Sequence, residues 1–262
     1  MRAVLDHLVI NARFELDEAA RLFAGLGFTL TPRGHHTLGS INHLLMFGAG
    51  YIELIGLPPN GEWLRQELLD SPQGLDGLVL ASADPDQTYA DLQRQGFVVQ
   101  EVQHFSRPVP IDGADHTARF ATVRLAPGQF EAGRVYFCHH ETPELVWRPE
   151  WIEHANGVHG VARLKVLSTD PRRAAAEYQR LGRFTGDFAV EVLDEARWRE
   201  HLAGFDPGGG RRPERFAAIT LRGGNVAELQ RRAAALQLPW QRAGERLLVG
   251  LPRFETLLEF EP

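Results

Sequence analysis

The chain has 262 residues, a formal net charge of −6 and a pI near 6.0, with 44% apolar and 24% charged residues. That balance is ordinary for a soluble globular protein and excludes the basic face of a nucleic-acid binder. Cys138 is the one cysteine, which rules out an internal disulfide and a CxxC metal site. Lys165 is the one lysine, so arginine carries nearly all the positive charge. The first residues, "MRAVLDHLVI", lack the apolar core and small-residue cleavage site of a signal peptide. No apolar run approaches a membrane span. The expectation is a cytoplasmic protein with no membrane or nucleic-acid partner.

In chain order, "LDHLVINA" at 5–12 predicts a strand, unusual in carrying His7. "LDEAARLFAGLGFTL" then predicts a helix, with Leu16, Ala19, Ala20, Phe23 and Leu26 at helical spacing and Gly27 as its stop. "FTLTPRG", "HLLMFG" and "YIELIG" predict three further strands. The same order returns three times. At 75–99, Asp84 is the expected N-cap, Pro85 the first helical residue and Gly96 the stop. At 160–185, Asp170, Pro171 and Gly182 take those roles. The fourth copy, "FAAITLRGGNVAELQRRAAALQLPW", starts its helix at Asn225 with Glu228 at capping-box spacing and has no glycine stop.

Each copy is a βαβββ unit or part of one, and one such unit cannot bury both faces of its sheet. The expected fold is therefore α+β: four modules pairing into two curled mixed sheets with helices outside. Residues 1–145 form the first body, 158–262 the abbreviated second and 146–157 the connector. Four modules complete their barrels within one chain, and a homodimer stays open as a further arrangement.

The stretches "LDHLVINA", "GFTLTPRGHHTLGSINHLLMFGAGYIELIG" and "YFCHHETPELVW" resemble the vicinal-oxygen-chelate superfamily, in its glyoxalase-like branch. The resemblance implies a concave sheet that holds one divalent metal on ligands from the first and last strands of paired modules. A small-molecule substrate would chelate that metal through neighbouring oxygens. It implies a metal-dependent enzyme of lyase, isomerase or dioxygenase type, or alternatively a protein of the same fold that binds a small molecule without chemistry.

Carried over by position, the first-strand ligand is His7 and the last-strand ligand is Glu53, a donor pair suited to Fe, Mn, Ni or Zn. Glu53 could also serve as the catalytic base. In the second module Gly77 stands in the His7 slot, and Cys138 is matched to Glu53. His140, on the face of Cys138 by strand alternation, is the candidate third metal ligand, with Cys138 itself as the alternative. The later copies carry Arg163 and Ala218, with Glu191 and Glu259, and an Arg163–Glu259 ion pair is one expectation there. Asn42 is a candidate for hydrogen-bonding substrate, Arg107, placed in a loop, for binding a carboxylate, and Cys138 for contacting substrate. Each has a plainer alternative: a satisfied core histidine, an arginine-paired glutamate, a turn asparagine, a surface arginine, an inert buried thiol. Tyr51, Phe120, Tyr136 and Phe137 are expected to line an apolar cavity, and Trp147 and Trp151 to pack between the two halves.

Overall fold

The structure is a computed structural model that describes residues 2–61, 65–111, 113–208 and 212–262. The first module contains β1 (Arg2–Ala3), β2 (Leu5–Arg13), α1 (Leu16–Gly25), β3 (Gly34–His35), β4 (Ile41–Met46) and β5 (Tyr51–Gly56). A short α2 (Gln66–Asp70) leads to β6 (Gly74–Ala81), α3 (Pro85–Arg94), β7 (Gln103–Ile111), β8 (Ala114–Arg124) and β9 (Arg134–His140). The connector holds α4 (Pro149–Ile152). The second half runs β10 (Val158–Leu167), α5 (Pro171–Arg180), β11 (Arg183–Phe184), β12 (Ala189–Leu193) and α6 (Glu195–Leu202). It closes with β13 (Arg215–Gly223), α7 (Val226–Ala235), β14 (Trp240–Ala243), β15 (Arg246–Leu251) and β16 (Thr256–Glu261).

The helix boundaries follow local chemistry. The side chains of Asp84, Asp170 and Asn225 accept hydrogen bonds from the backbone N–H groups of Gln87, Arg173 and Glu228, as N-caps do. Gly27, Gly96 and Gly182 adopt the left-handed backbone that ends a helix, at φ of 91°, 81° and 126°. In the fourth copy Gln237 takes that conformation, at φ 56°.

The first two modules form one eight-stranded sheet in the order β3-β4-β5-β2-β6-β9-β8-β7. β2 runs parallel to β5, β6 parallel to β9, and the modules meet along the antiparallel β2–β6 pair. The sheet curls until its edges meet: the Thr37 amide donates to the Ser106 carbonyl at 3.0 Å, and the His36 ring lies edge-on to Phe105. Side chains alternate along each strand. Leu8, Ile10, Leu54, Leu78 and Phe137 therefore point outward into a core shared with Leu164, Ile219 and Phe260 of the second half. Val9, Leu44, Tyr51, Phe120, Tyr136 and Cys138 point inward. Truncating a fully buried phenylalanine such as Phe137 to alanine costs roughly 3–5 kcal/mol. Phe137 belongs to the outer core, so the expectation that it lines the cavity is corrected by strand alternation.

The second sheet has six strands, β12-β10-β13-β16-β15-β14. Its third module stops after β12, and α6 follows. Trp198 and Leu202 of α6 pack on Leu167, Ala218, Leu248 and Leu257, covering one face of the second sheet. β1 pairs with β11 across the halves, and Phe28 stacks on Phe260.

A candidate metal and small-molecule site inside the first sheet

β2 and β6 fall out of step between Leu5 and His7, so two residues of β2 oppose one of β6. Asp6 is the extra residue. Neighbours on a strand ordinarily face opposite sides, but a bulge re-aims one of them. Asp6 and His7 consequently meet: His7 Nδ1 lies 2.5 Å from Asp6 Oδ1. His140, at the end of β9, places Nε2 3.1 Å from Asp6 Oδ2. One buried carboxylate thus ties together histidines from both modules.

With Nδ1 held by Asp6, the other ring nitrogen of His7 is aimed inward. Its Nε2 lies 3.7 Å from Glu53 Oε2 and 3.5 Å from the Tyr136 hydroxyl. Tyr51, opposite His7 on β5, stacks on the imidazole with ring centroids 4.4 Å apart. Asn42 on β4 donates from Nδ2 to Glu53 Oε1 at 2.6 Å. His36 lies 3.2 Å from the same amide nitrogen, and its Nδ1 is 2.9 Å from Ser40 Oγ. His7, His36, Asn42, Tyr51, Glu53 and Tyr136 line a small cavity of about 30 Å³ together with Arg65, Phe105, Arg107, Phe120, Arg124 and Cys138.

Burial alone would push the Asp6 and Glu53 carboxyls up. For Asp6 it is outweighed by the charge and hydrogen bond of His140 and the hydrogen bond of His7, which hold it well below the ordinary carboxylate value. For Glu53 the opposing influences are His7, His36, the Asn42 hydrogen bond and Arg65, and its value is also lowered. Burial depresses His36 to about 4, with Arg107 adding to the effect against the pull of Glu53. His36 is therefore neutral at pH 7. Burial pushes the Cys138 thiol well up, helped by Asp6 and Glu53, so it is a protonated thiol and a poor nucleophile.

The donor set suits a divalent cation. Two ligand atoms bound to one ion at about 2.1 Å stand roughly 3.0–3.4 Å apart at octahedral or tetrahedral angles. His7 Nε2 and Glu53 Oε2 are close to that spacing. Two acceptors facing each other across such a gap call for a proton or a metal ion between them. Metal-binding histidines also commonly give their second N–H to a carboxylate, the role Asp6 has here. Among the described residues, Asp6, Cys138 and His140 bring potential ligand atoms within 4.8 Å of one another. His140 reaches the His7–Glu53 pair through Asp6, and its Nδ1 is buried without a hydrogen-bond partner.

The other modules show what the fold does at the same positions. Glu53 lies two residues beyond Tyr51, the partner of His7. In the second module Gly77 pairs with Arg134, and two residues beyond lies Tyr136. Tyr136, not Cys138, is thus the counterpart of Glu53, and the sequence match was one step of the alternation too far along. A side chain at Gly77 is prohibited, because its Cβ would stand 2.7 Å from that of Val9. In the fourth module Glu259 occupies the Glu53 position opposite Thr220, with Leu257 opposite Ala218. Glu259 is fully buried and satisfied internally: Lys165 Nζ lies 3.4 Å away, Thr220 donates to it at 2.9 Å, and His201 of α6 bonds to it. The expected Arg163–Glu259 pair does not form, since Arg163 pairs with Glu261 and Lys165 takes its place.

Arg107 lies on strand β7, not in a loop. Its neighbours alternate, with Phe105, Val109 and Ile111 turned toward the interior while Pro108 and Pro110 are exposed on this edge strand. Arg107 is 3% exposed, and its Nη2 has no hydrogen-bond partner. Trp147 packs edge-on against Tyr51 and His140, and Trp151 belongs to the same inner cluster. The tryptophans thus cover the inner face of the first sheet instead of joining the halves. Asp6 and His36 are the site residues that sequence reasoning missed, while Tyr136 lines the cavity as expected. The signal for Asp6 was present: "LDH" and "LDG" both bury an ionisable residue in an apolar strand, at a cost that demands partners.

A model of the family described as "Glyoxalase-like domain" matches residues 5–182. Among solved structures, a hypothetical protein from Staphylococcus aureus superposes with a TM-score of 0.67 at 14% identity, covering 98% of each chain. A triple mutant of 4-hydroxymandelate synthase from Streptomyces coelicolor gives 0.59 at 12% identity, covering 98% of this chain and 92% of that one. A xylose isomerase-like TIM barrel/4-hydroxyphenylpyruvate dioxygenase fusion protein gives 0.53 at 12% identity, covering 98% of this chain and 49% of that one. At these identities the likeness concerns the fold. A search of curated proteins found no match. No helix among the described residues is long and apolar enough to cross a membrane.

Proposed function

The chain belongs to the glyoxalase-like domain family, and on that footing we propose that its first half is a metal-dependent enzyme acting on a small oxygen-chelating substrate. The observation that carries this is the environment of Glu53. It is 6% exposed and, among the described residues, has no lysine or arginine in ion-pair contact; it faces histidines and a cavity instead. Its counterpart Glu259 has Lys165. A fold that neutralises one carboxylate with its only lysine and leaves the other facing a histidine nitrogen suits a cation brought from outside.

His7 and Glu53 would hold that metal, of Fe, Mn, Ni or Zn type, while His140, the expected third ligand, is held on Asp6 behind them. When bound it would supply Lewis-acid polarisation of a substrate oxygen. The protein's own groups would do the rest. Asp6 fixes the tautomer and direction of His7. Asn42 holds one oxygen of Glu53 and leaves the other toward the cavity, where it could take a proton from substrate. Neutral His36 braces Asn42. Tyr51, Phe120 and Tyr136 exclude water, and Arg107 and Cys138 border the substrate space. Lyase, isomerase and dioxygenase chemistry all remain within this arrangement.

Metal analysis of protein purified without chelator tests the proposal. About one equivalent is expected in the wild type and far less in His7→Ala and Glu53→Gln. A wild type free of stoichiometric metal when supplied with each of the four ions would sink it. The second reading, a binding protein without turnover, draws on the fact that two ligands alone face each other directly. It predicts ligand binding that His7→Ala leaves intact.

A further inference from the structure

Two polar groups of the cavity are buried and unmatched. Arg107 Nη2 and Asn42 Oδ1 are sealed from solvent on residues 3% and 2% exposed, and neither has a hydrogen-bond partner. No carboxylate pairs with the Arg107 guanidinium among the described residues, whereas Arg65, Arg124 and Arg134 all bind Glu67. A buried arginine left without an anion is an uncompensated buried charge, which a folded chain tolerates poorly.

The two groups are also close together. A Cβ placed on Gly34 would stand 2.3 Å from Asn42 Oδ1 and 3.3 Å from Arg107 Nη1. Residue 34 has to be glycine for both side chains to keep these positions. On its other side Asn42 donates to Glu53, so the unmatched pair adjoins the His7–Glu53 gap.

We infer that the site takes a short hydroxycarboxylate: its carboxylate pairs with Arg107, and its neighbouring hydroxyl donates to Asn42 Oδ1. A guanidinium presents forked donors that match a carboxylate, and a bare carbonyl oxygen of Asn42 can only accept. One small molecule with both groups satisfies both orphans at once. The assignment rests on the proposed function, because it fills the same cavity, but its test is separate from metal content.

The test is isothermal titration of both chelator-treated and metal-loaded protein with lactate, propanoate and lactamide. Lactate is expected to bind best, with lactamide, which lacks the charge, at least about tenfold weaker. Propanoate, which leaves Asn42 Oδ1 unmatched, should fall between them. Arg107→Gln should cut lactate affinity about tenfold or more and leave lactamide unchanged, and Arg107→Lys should recover part of the loss. If Arg107→Gln fails to fold, the three-ligand ranking on the wild type decides alone. Lactamide binding as tightly as lactate, or no lactate binding at tens of millimolar in either form, overturns the assignment. Lactate binding in a protein that takes up no metal would leave it standing and remove the metal reading instead.

Discussion

His7 Nε2 and Glu53 Oε2 face each other across 3.7 Å, with the opposite side of the imidazole tied to Asp6. The residues lie on parallel neighbouring strands, two positions apart in register, and both point into the curl of one sheet. Asp6 is the third partner in that relationship and the easiest to probe without removing a ligand.

Asp6→Asn should keep the fold and weaken metal binding by about 10–100-fold, the usual cost of losing a carboxylate behind a ligating histidine. Competition against a chelator of known affinity measures it. Wild-type affinity in Asp6→Asn would show that Asp6 does not orient His7.

Lys165→Met should strand Glu259 as a buried charge and lower stability by about 3–5 kcal/mol in urea unfolding. Adding Glu259→Gln should return much of that loss, because the charge that needed Lys165 is gone. A single variant as stable as the wild type would mean that His201 and Thr220 suffice.

Glu67 should set part of the acid sensitivity. Burial opposes its ionisation, but Arg65, Arg134 and Arg124 lower its value from 4.5 to about 2. Its native state binds the proton more weakly than the unfolded chain does. The stability it adds is therefore complete above about pH 4.5 and is lost as pH falls toward 2. Glu67→Gln should flatten the stability–pH curve across that window. An unchanged slope between wild type and variant would refute this.

Cys138 should be unreactive. Its thiol is 4% exposed, and burial raises its pKa well above the ordinary value. Alkylation near pH 8 should run roughly a hundredfold or more slower in the native protein than in urea. Equal rates would contradict the placement of Cys138 on the inner face.

Much of this protein can be read along the chain. The repeat of strand, capped helix and glycine stop announces the modules, because caps and stops are decided by residues within a few positions of one another. His7, Glu53 and His140 stand out for a related reason: ionisable residues in apolar strands demand partners. Other features depend on relations between strands. A bulge against β6 turns Asp6 to the side of His7, and nothing local in "LDHLV" encodes it. The register of β6 on β9 makes Tyr136 the counterpart of Glu53, and a slip of two residues preserves every face while changing every partner. The prolines beside Arg107 suggest a loop, yet on an edge strand they need no ladder hydrogen bond, and the arginine goes inside. Sequence determined the modules and nominated the ionisable residues, since those follow from short-range preference and the cost of burial. Only the tertiary structure decided which of them meet, because pairing register and the curl of the sheet are set by packing between segments far apart in the chain.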